Sequence, residues 1–543
     1  MNVRNVPDWL YRKLWATRLK KALTALVAVV VVVGVVSVVG YRVTRPDEPD
    51  HCATGVDRID GECIGVSASA YDFGTPEISK VTAAIARENR RIESKPHVTL
   101  AMVLPLEPEL AAERGELRSE LQGAYLAQYR VNRLQRTPLV RLVLANPGKD
   151  YKKYDTVVDT LGTMAASRDD NLRAVTGFNL SLKESKAAIG RLTNDLHIPV
   201  VISRASADDI ANPEKGEARY KGLARIIPTN QAQADALACR AGTPDKDTVL
   251  VKDTRPDIYV SSLAKAFSCR EKGEPGPKDQ EFESPGINRL GNTGNDFAFI
   301  GNNICQSSAR TVYFAGRPVH LRLFALKLAE AGCRDKKYTI ISGSGSATLE
   351  RYMSEEDWQV LRGGGKEPAV TVQYAAPGHP EAWEREIARW RDARKKAAGK
   401  APTDAQLPAY LTEPRDQLRK LTDLVTSGRA GDIGPVELDD SRTMLVHDGV
   451  YTAAQAVFLA NTQTGDRIPA RERVAAQWTR LESAYRVAGT SGWICLTNGG
   501  NPYDKPVAIV ELDPRTRKLA FVRLGWPEGR PQPDNCVVPS GTD

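Results

Sequence analysis

The chain has 543 residues, 41% of them hydrophobic and 26% charged, with a net charge of +8. That length holds an anchor plus two or three domains of roughly 100–200 residues each. Residues 1–21 carry Arg4, Arg12, Lys13, Arg18, Lys20 and Lys21 against Asp8, a net +5, which leaves +3 for the rest; with no basic stripe among aromatics, this charge is a topology signal and excludes nucleic acid as a partner.

Residues 22–40 run for 19 positions without a charge. At about 1.5 Å per residue, such a helix nearly matches a hydrocarbon core about 30 Å thick. In lipid the backbone must satisfy itself, which selects helix even for a valine-rich segment. The basic flank precedes the apolar run. The sequence therefore predicts a single-pass protein of the cell membrane, with a cytoplasmic stub at 1–21, a transmembrane helix at 22–41 in contact with the bilayer through 22–40, and an extracytoplasmic bulk. A cleaved signal peptide is the alternative. Its apolar region is normally shorter, and Val38-Val39-Gly40 is a poor cleavage site.

Eight cysteines, Cys52, Cys63, Cys239, Cys269, Cys305, Cys333, Cys495 and Cys536, suit that compartment. No C-x-x-C spacing occurs, which argues against a zinc or thioredoxin-like site. Nearest-neighbour pairing (52–63, 239–269, 305–333, 495–536) is the simplest disulfide scheme, and free buried thiols are the alternative. No cofactor is predicted.

Residues 42–96 are polar at first and hold the first cysteine pair; they read as a stalk with a small cystine loop, followed by a helix at 77–93. From His97 onward apolar runs alternate with helical patterns. The runs lie at 98–106, 139–144, 172–178, 198–203, 223–227, 248–251, 297–300, 311–315, 338–342 and 370–374. Most are continuous and β-branched, as in parallel strands covered on both faces. Helical periodicity marks 117–134, 154–166, 185–196, 231–238, 259–267 and 318–331. This order predicts an α/β fold, and ten strands exceed one comfortable sheet, so two lobes are expected. Residues 381–430 are a charged helical insert or linker in which Trp383 and Trp390 form a packing stripe. Residues 443–461 are an apolar helix. Short antiparallel strands follow at 492–496, 507–512 and 519–524, separated by turn residues.

Five local matches in this order carry a resemblance. Val249-Leu250-Val251-Lys252-Asp253 is followed by Tyr259 at a helix start. Thr311-Val312-Tyr313-Phe314-Ala315-Gly316 leads to a helix ending Ala329-Glu330-Ala331-Gly332. The strand at 338–342 runs into Gly343-Ser344-Gly345-Ser346. A late helix carries Tyr451, and Gly489 and Gly492 frame a turn. Over residues 98–526 the chain resembles type I periplasmic solute-binding proteins, the branched-chain amino-acid receptor class of ABC importers, in the membrane-anchored form of actinobacteria. The resemblance implies a two-lobed Venus-flytrap with three crossovers. Lobe 1 would comprise 97–230 plus about 431–488, and lobe 2 would comprise 231–380 plus about 489–530. It also implies a small-molecule ligand in the cleft and an ABC permease as partner. A ligand-sensing or interaction module of the same fold is the alternative.

The same resemblance places Asn179, Ser181, Ser203, Arg204, Ser206, Tyr259 and Ser344 at the ligand. Strand ends and helix N-termini meet there, and free N–H groups suit a carboxylate. Simple N-capping is the alternative for the serines, and core packing for Tyr259. In amino-acid receptors of this class an acidic residue after the strand at 338–342 often holds the ligand ammonium. Here that loop has no carboxylate. Asp208 and Asp209 are possible substitutes or a solvated helix start, and Arg204 favours an anion. An enzyme is not expected. G-x-S-x-G spacing is absent around Ser344, the six histidines form no H-E-x-x-H, and Gly363-Gly364-Gly365-Lys366 lacks P-loop spacing.

Overall fold

The computed structural model describes residues 51–213, 217–237, 247–268, 276–331, 333, 336–363, 368–465, 467–533 and 535–539, with a few positions between 22 and 30. Met1–Cys52 and Ala53–Asp543 are separate compact units. In the first, the described positions within the predicted span are helical, and Leu26, Val27, Val29 and Val30 are exposed. The rest of that span lies outside the described residues. Among those described, no helix is long and apolar enough to cross a membrane.

Among the described residues, the second unit holds two large sheets and a two-stranded ladder. From Val56 on, the first comprises β1 (Val56–Ile59), β2 (Glu62–Ser67), β3 (His97–Val103), β4 (Leu139–Asn146), β5 (Leu172–Gly177), β6 (Val200–Ile202) and β7 (Leu223–Arg225), in the order β1-β2-β4-β3-β5-β6-β7. Strands β3 to β7 pair in parallel. The second sheet has seven strands. They are β8 (Thr248–Asp253), β9 (Gln280–Phe282), β10 (Thr311–Ala315), β11 (Tyr338–Ser342), β12 (Val370–Ala376), and, after the two-stranded ladder β13 (Val487–Gly489) and β14 (Gly492–Ile494), β15 (Val507–Asp513) and β16 (Lys518–Gly525). Their order is β9-β8-β10-β11-β12-β15-β16, with β15 and β16 antiparallel. The central parallel strands of the first sheet are buried on both faces, as the continuous runs predict: six of the seven residues of β3 are buried, and so is every residue of β6 and β7.

The chain passes between the sheets three times: after β7, after β12 and ahead of β15. After β12, helix α5 (Arg442–Thr464) returns to the first sheet and lies on α2 (Ala111–Val131). The two backbones approach closely at Gly123, where a Cβ would stand 2.4 Å from Thr443 O. A larger residue there would have to push the helices apart.

Two expectations change. The stretch taken as a stalk builds lobe 1 from Val56 on: β2 pairs antiparallel with β4, and α1 (Ser79–Ile92) buries Val81, Ile85 and Ile92. Its strands are short and polar-flanked, so composition hides them. Residues 297–300 are not a strand but part of helix Thr293–Gln306, whose buried Phe297, Ile300, Gly301 and Ile304 follow the helical period. Strand β9 went unforeseen because three residues, two of them polar, carry no periodicity. The insert folds as two helices, α3 (Ala382–Ala398) and α4 (Ala409–Thr426), as the charged helical pattern predicts. Trp383 is buried and its Nε1 donates to Thr490 O at 2.8 Å, while Trp390 is half-buried under the Arg394 guanidinium.

Cys305 is bonded to Cys333 and Cys495 to Cys536, as nearest-neighbour pairing predicts. Cys52 and Cys63 are also disulfide-bonded. Cys239 and Cys269 lie outside the described residues.

Candidate functional site

Because β3, β5 and β6 are parallel, their C-terminal ends open on one edge of lobe 1. The ends of β8, β10 and β11 open on one edge of lobe 2. Between them lies a cavity of about 430 Å³, lined from both lobes. Asn179, Ser181, Arg204, Ser206, Tyr259 and Ser344 all line it, so six of the seven predicted contacts converge. Ser203 does not. It is fully buried, 3.5 Å from Thr176 Oγ1, and so close to α5 that a Cβ on Gly449 would stand 2.0 Å from its Oγ. It packs the lobe rather than lining the cavity.

The Ser181 and Tyr259 hydroxyls are each held by a backbone N–H. Ser181 Oγ accepts from Ala207 N at 3.2 Å, and Tyr259 Oη accepts from Gly345 N at 3.0 Å. Each keeps its own proton to donate. Gly345 is required for this approach, since a Cβ there would stand 2.6 Å from Tyr259 Oη. Burial raises the Tyr259 hydroxyl above its ordinary range, so it stays protonated. Ser344 N donates to Gln233 Oε1 at 2.9 Å. Asn179 acts as a brace: its Nδ2 donates to Glu120 Oε2 at 3.1 Å, and its Oδ1 accepts from Tyr151 Oη at 3.0 Å.

Charged groups that the sequence reading missed complete the floor. Glu113, Glu116 and Glu120 share one face of α2. Arg442, the first residue of α5, donates from Nη1 to Glu120 Oε1 and forms an ion pair through Nη2 with Glu116 Oε2, both at 2.8 Å. Burial pulls the Arg442 value down, but Glu116, Glu120 and Asp440 outweigh it and the guanidinium stays charged. Burial, and then repulsion from Arg442, bring Arg204 down to about 10, so it too is charged at neutral pH. In lobe 2, Arg317 clamps Asp257 through Nε and Nη2 at 2.9–3.0 Å, with its guanidinium 4.8 Å over the Tyr259 ring. The spacing of the three glutamates on one helix was the available signal. Their arginine partners sit too far along the chain to be paired by eye.

Neither aspartate offered as an ammonium partner lines the cavity. Asp208 bonds lobe 2 instead, accepting from Ser262 Oγ at 2.5 Å, and Asp209 is exposed.

Several contacts bridge the lobes around the cavity. Thr348 Oγ1 donates to Glu116, Asn288 Nδ2 donates to Glu113, and Arg351 Nη2 reaches Asp440 Oδ2 at 2.7 Å.

No family model and no curated protein sequence matches the chain. Solved structures do. LivJ from Streptococcus pneumoniae, a branched-chain amino acid transporter substrate-binding protein in complex with isoleucine, is 13% identical at a TM-score of 0.52, over 79% of this chain and 99% of that one. An ABC transporter substrate-binding protein from Aeropyrum pernix is 12% identical at 0.53, over 81% and 97%. A leucine-binding protein from Thermotoga maritima is 15% identical at 0.50, over 79% and 99%. The fold is therefore the two-lobed type I periplasmic-binding fold. More narrowly, it is the fold shared by ABC transporter substrate-binding proteins of the leucine and branched-chain amino-acid type.

Proposed function

We propose that the chain is a membrane-anchored, extracytoplasmic solute-binding protein, the substrate-binding component of an ABC importer for a small polar solute, amino acid-like or another anion. The observation that carries this is the interlobe cavity: it is small-molecule sized, lined from both lobes, and ringed by contacts that join them. It works by binding and hinge closure, not by catalysis. The charge-free run at 22–40 anchors it, with the bulk held outside the cytoplasm where a permease can receive the solute.

Cell fractionation and uptake test this reading together. The full chain should sediment with membranes, and exchanging residues 1–41 for a cleavable signal peptide should release it outside the cell. A strain lacking the gene should lose uptake of one small solute, restored by the anchored protein. Retention of the full chain in the soluble cytoplasm, or unchanged uptake of every solute that the purified protein binds, would contradict it.

A further inference from the structure

A tight turn of lobe 2 crosses the cleft. Between β9 and the helix Thr293–Gln306, Gly286 and Arg289 pair in an antiparallel bridge, which puts Ile287 and Asn288 at the tip. The two legs meet below it. Gly291 takes a φ of +52°, and a Cβ there would stand 2.8 Å from Pro285 Cγ. Both roots are fixed in lobe 2. Ser284 N and Oγ donate to Asp253 Oδ1 at 3.0 Å and Oδ2 at 2.5 Å, and His320 Nε2 donates to Arg289 O at 2.9 Å. Burial lowers the His320 value, so the ring is neutral and Nε2 carries its proton.

The tip is held by lobe 1. Ile287 packs against a hydrophobic cluster whose buried members all lie within residues 64–223. Asn288 Nδ2 donates to Glu113 Oε1 on α2. Residues 285–289 all line the cavity, while Pro285 and Arg289 are exposed to solvent, so this turn is a thin wall between the two. Lifting its tip breaks one apolar contact and one hydrogen bond to a carboxylate. Parting the lobes must also break Arg351 to Asp440 and Arg442 to Thr348. The turn is therefore the weaker closure and opens first.

We infer that residues 284–292 are a strap that gates the cavity, latched to lobe 1 by Ile287 and Asn288, and that release of this latch admits small molecules before the lobes part. Calling what passes a solute rests on the reading above; the access itself is a property of the cavity.

The test uses the full chain in detergent. Ser344→Cys places a thiol on the cavity wall, and the described cysteines are all disulfide-bonded. N-ethylmaleimide, a small neutral reagent, then reports access to the cavity through its labelling rate at that peptide. Labelling should be slow in this parent and roughly tenfold faster once Asn288→Ala or Ile287→Ser is added. Ile287→Val keeps the apolar contact and should stay slow. Hydrogen exchange in β10 and the radius of gyration should match the parent in every strap variant, because the roots and both sheets are untouched. Equal labelling rates in the parent and both strap variants would overturn the inference. So would acceleration matched by faster exchange in β10 or by a larger radius of gyration, since the whole molecule or the lobes would then have opened instead. Each of these leaves the solute-binding reading standing. That reading fails separately, if the protein carries and binds no solute, whatever the labelling rates.

Discussion

Asp448→Ala is expected to lower the unfolding free energy by about 3–5 kcal/mol, read by urea titration. Asp448 lies on α5 and is fully buried. Its Oδ1 accepts from Thr490 N at 2.8 Å, Thr490 Oγ1 at 3.0 Å and His447 Nδ1 at 3.1 Å. Its Oδ2 accepts from Ser491 N at 2.8 Å and Ser491 Oγ at 2.5 Å. Lys505 Nζ completes the network, donating to Ser491 Oγ and to Ile226 O, both at 2.9 Å. Ile226 begins the first crossover, while Thr490, Ser491 and Lys505 belong to the third, so the cluster fixes the hinge to lobe 1. Removing the carboxylate strands these donors and leaves the Lys505 ammonium without its counter-charge. Asparagine at 448 would keep the shape but not the charge, and should recover part of the loss.

Burial, only partly offset by Asp448, pulls Lys505 down to about 8. Between about pH 8 and the ordinary lysine value of 10.5, the unfolded chain holds a proton that the native chain has released. Stability therefore gains from this residue as pH rises through that window. In Lys505→Met that contribution vanishes, and the difference between the two proteins changes with pH only there.

Arg351→Ala is expected to open the cleft. Arg351 belongs to lobe 2, but its Nη2 reaches Asp440 Oδ2 at 2.7 Å, Ser119 Oγ at 3.2 Å and Glu437. Asp440 is only 1% exposed, so this is a desolvated contact rather than a surface ion pair. Without it, fewer molecules occupy the joined-lobe state at any moment. Each loss of about 1.4 kcal/mol in closure weakens apparent solute affinity roughly tenfold. Small-angle scattering should show a larger radius of gyration for the solute-free variant, with solute restoring the wild-type value. Unchanged scattering and affinity would show that the contact does not hold the lobes.

The parallel strands were legible because both faces are covered, so Thr311–Ala315 and Tyr338–Ser342 stand as continuous apolar runs in the sequence. Helix Tyr154–Ala166 was legible from its period. What failed was local ambiguity: four apolar residues at 297–300 fit a strand or a helix, and β9 has too few residues to signal anything. In the site, Ser181, Arg204, Ser206 and Tyr259 could be found because a strand end followed by a helix start marks the cleft edge. Ser203 shows the limit of that rule, since one residue closer to the strand points into packing. The acidic floor was missed for a different reason. Glu120 meets Arg442 across 322 residues of sequence, a pairing fixed by the return of α5 and by no local pattern.

The central claim is that the cavity between the lobes holds a small solute. Native mass spectrometry of the gently purified protein, followed by release and identification of any adduct, tests it most directly. A stoichiometric organic solute should be present. Re-adding it to the stripped protein should raise the melting temperature in a concentration-dependent way, because it binds only the folded state. That shift should be lost when Gly345 is replaced by valine, whose side chain would collide with Tyr259. A protein that carries no adduct, and whose melting temperature moves with no solute tested, would contradict the claim.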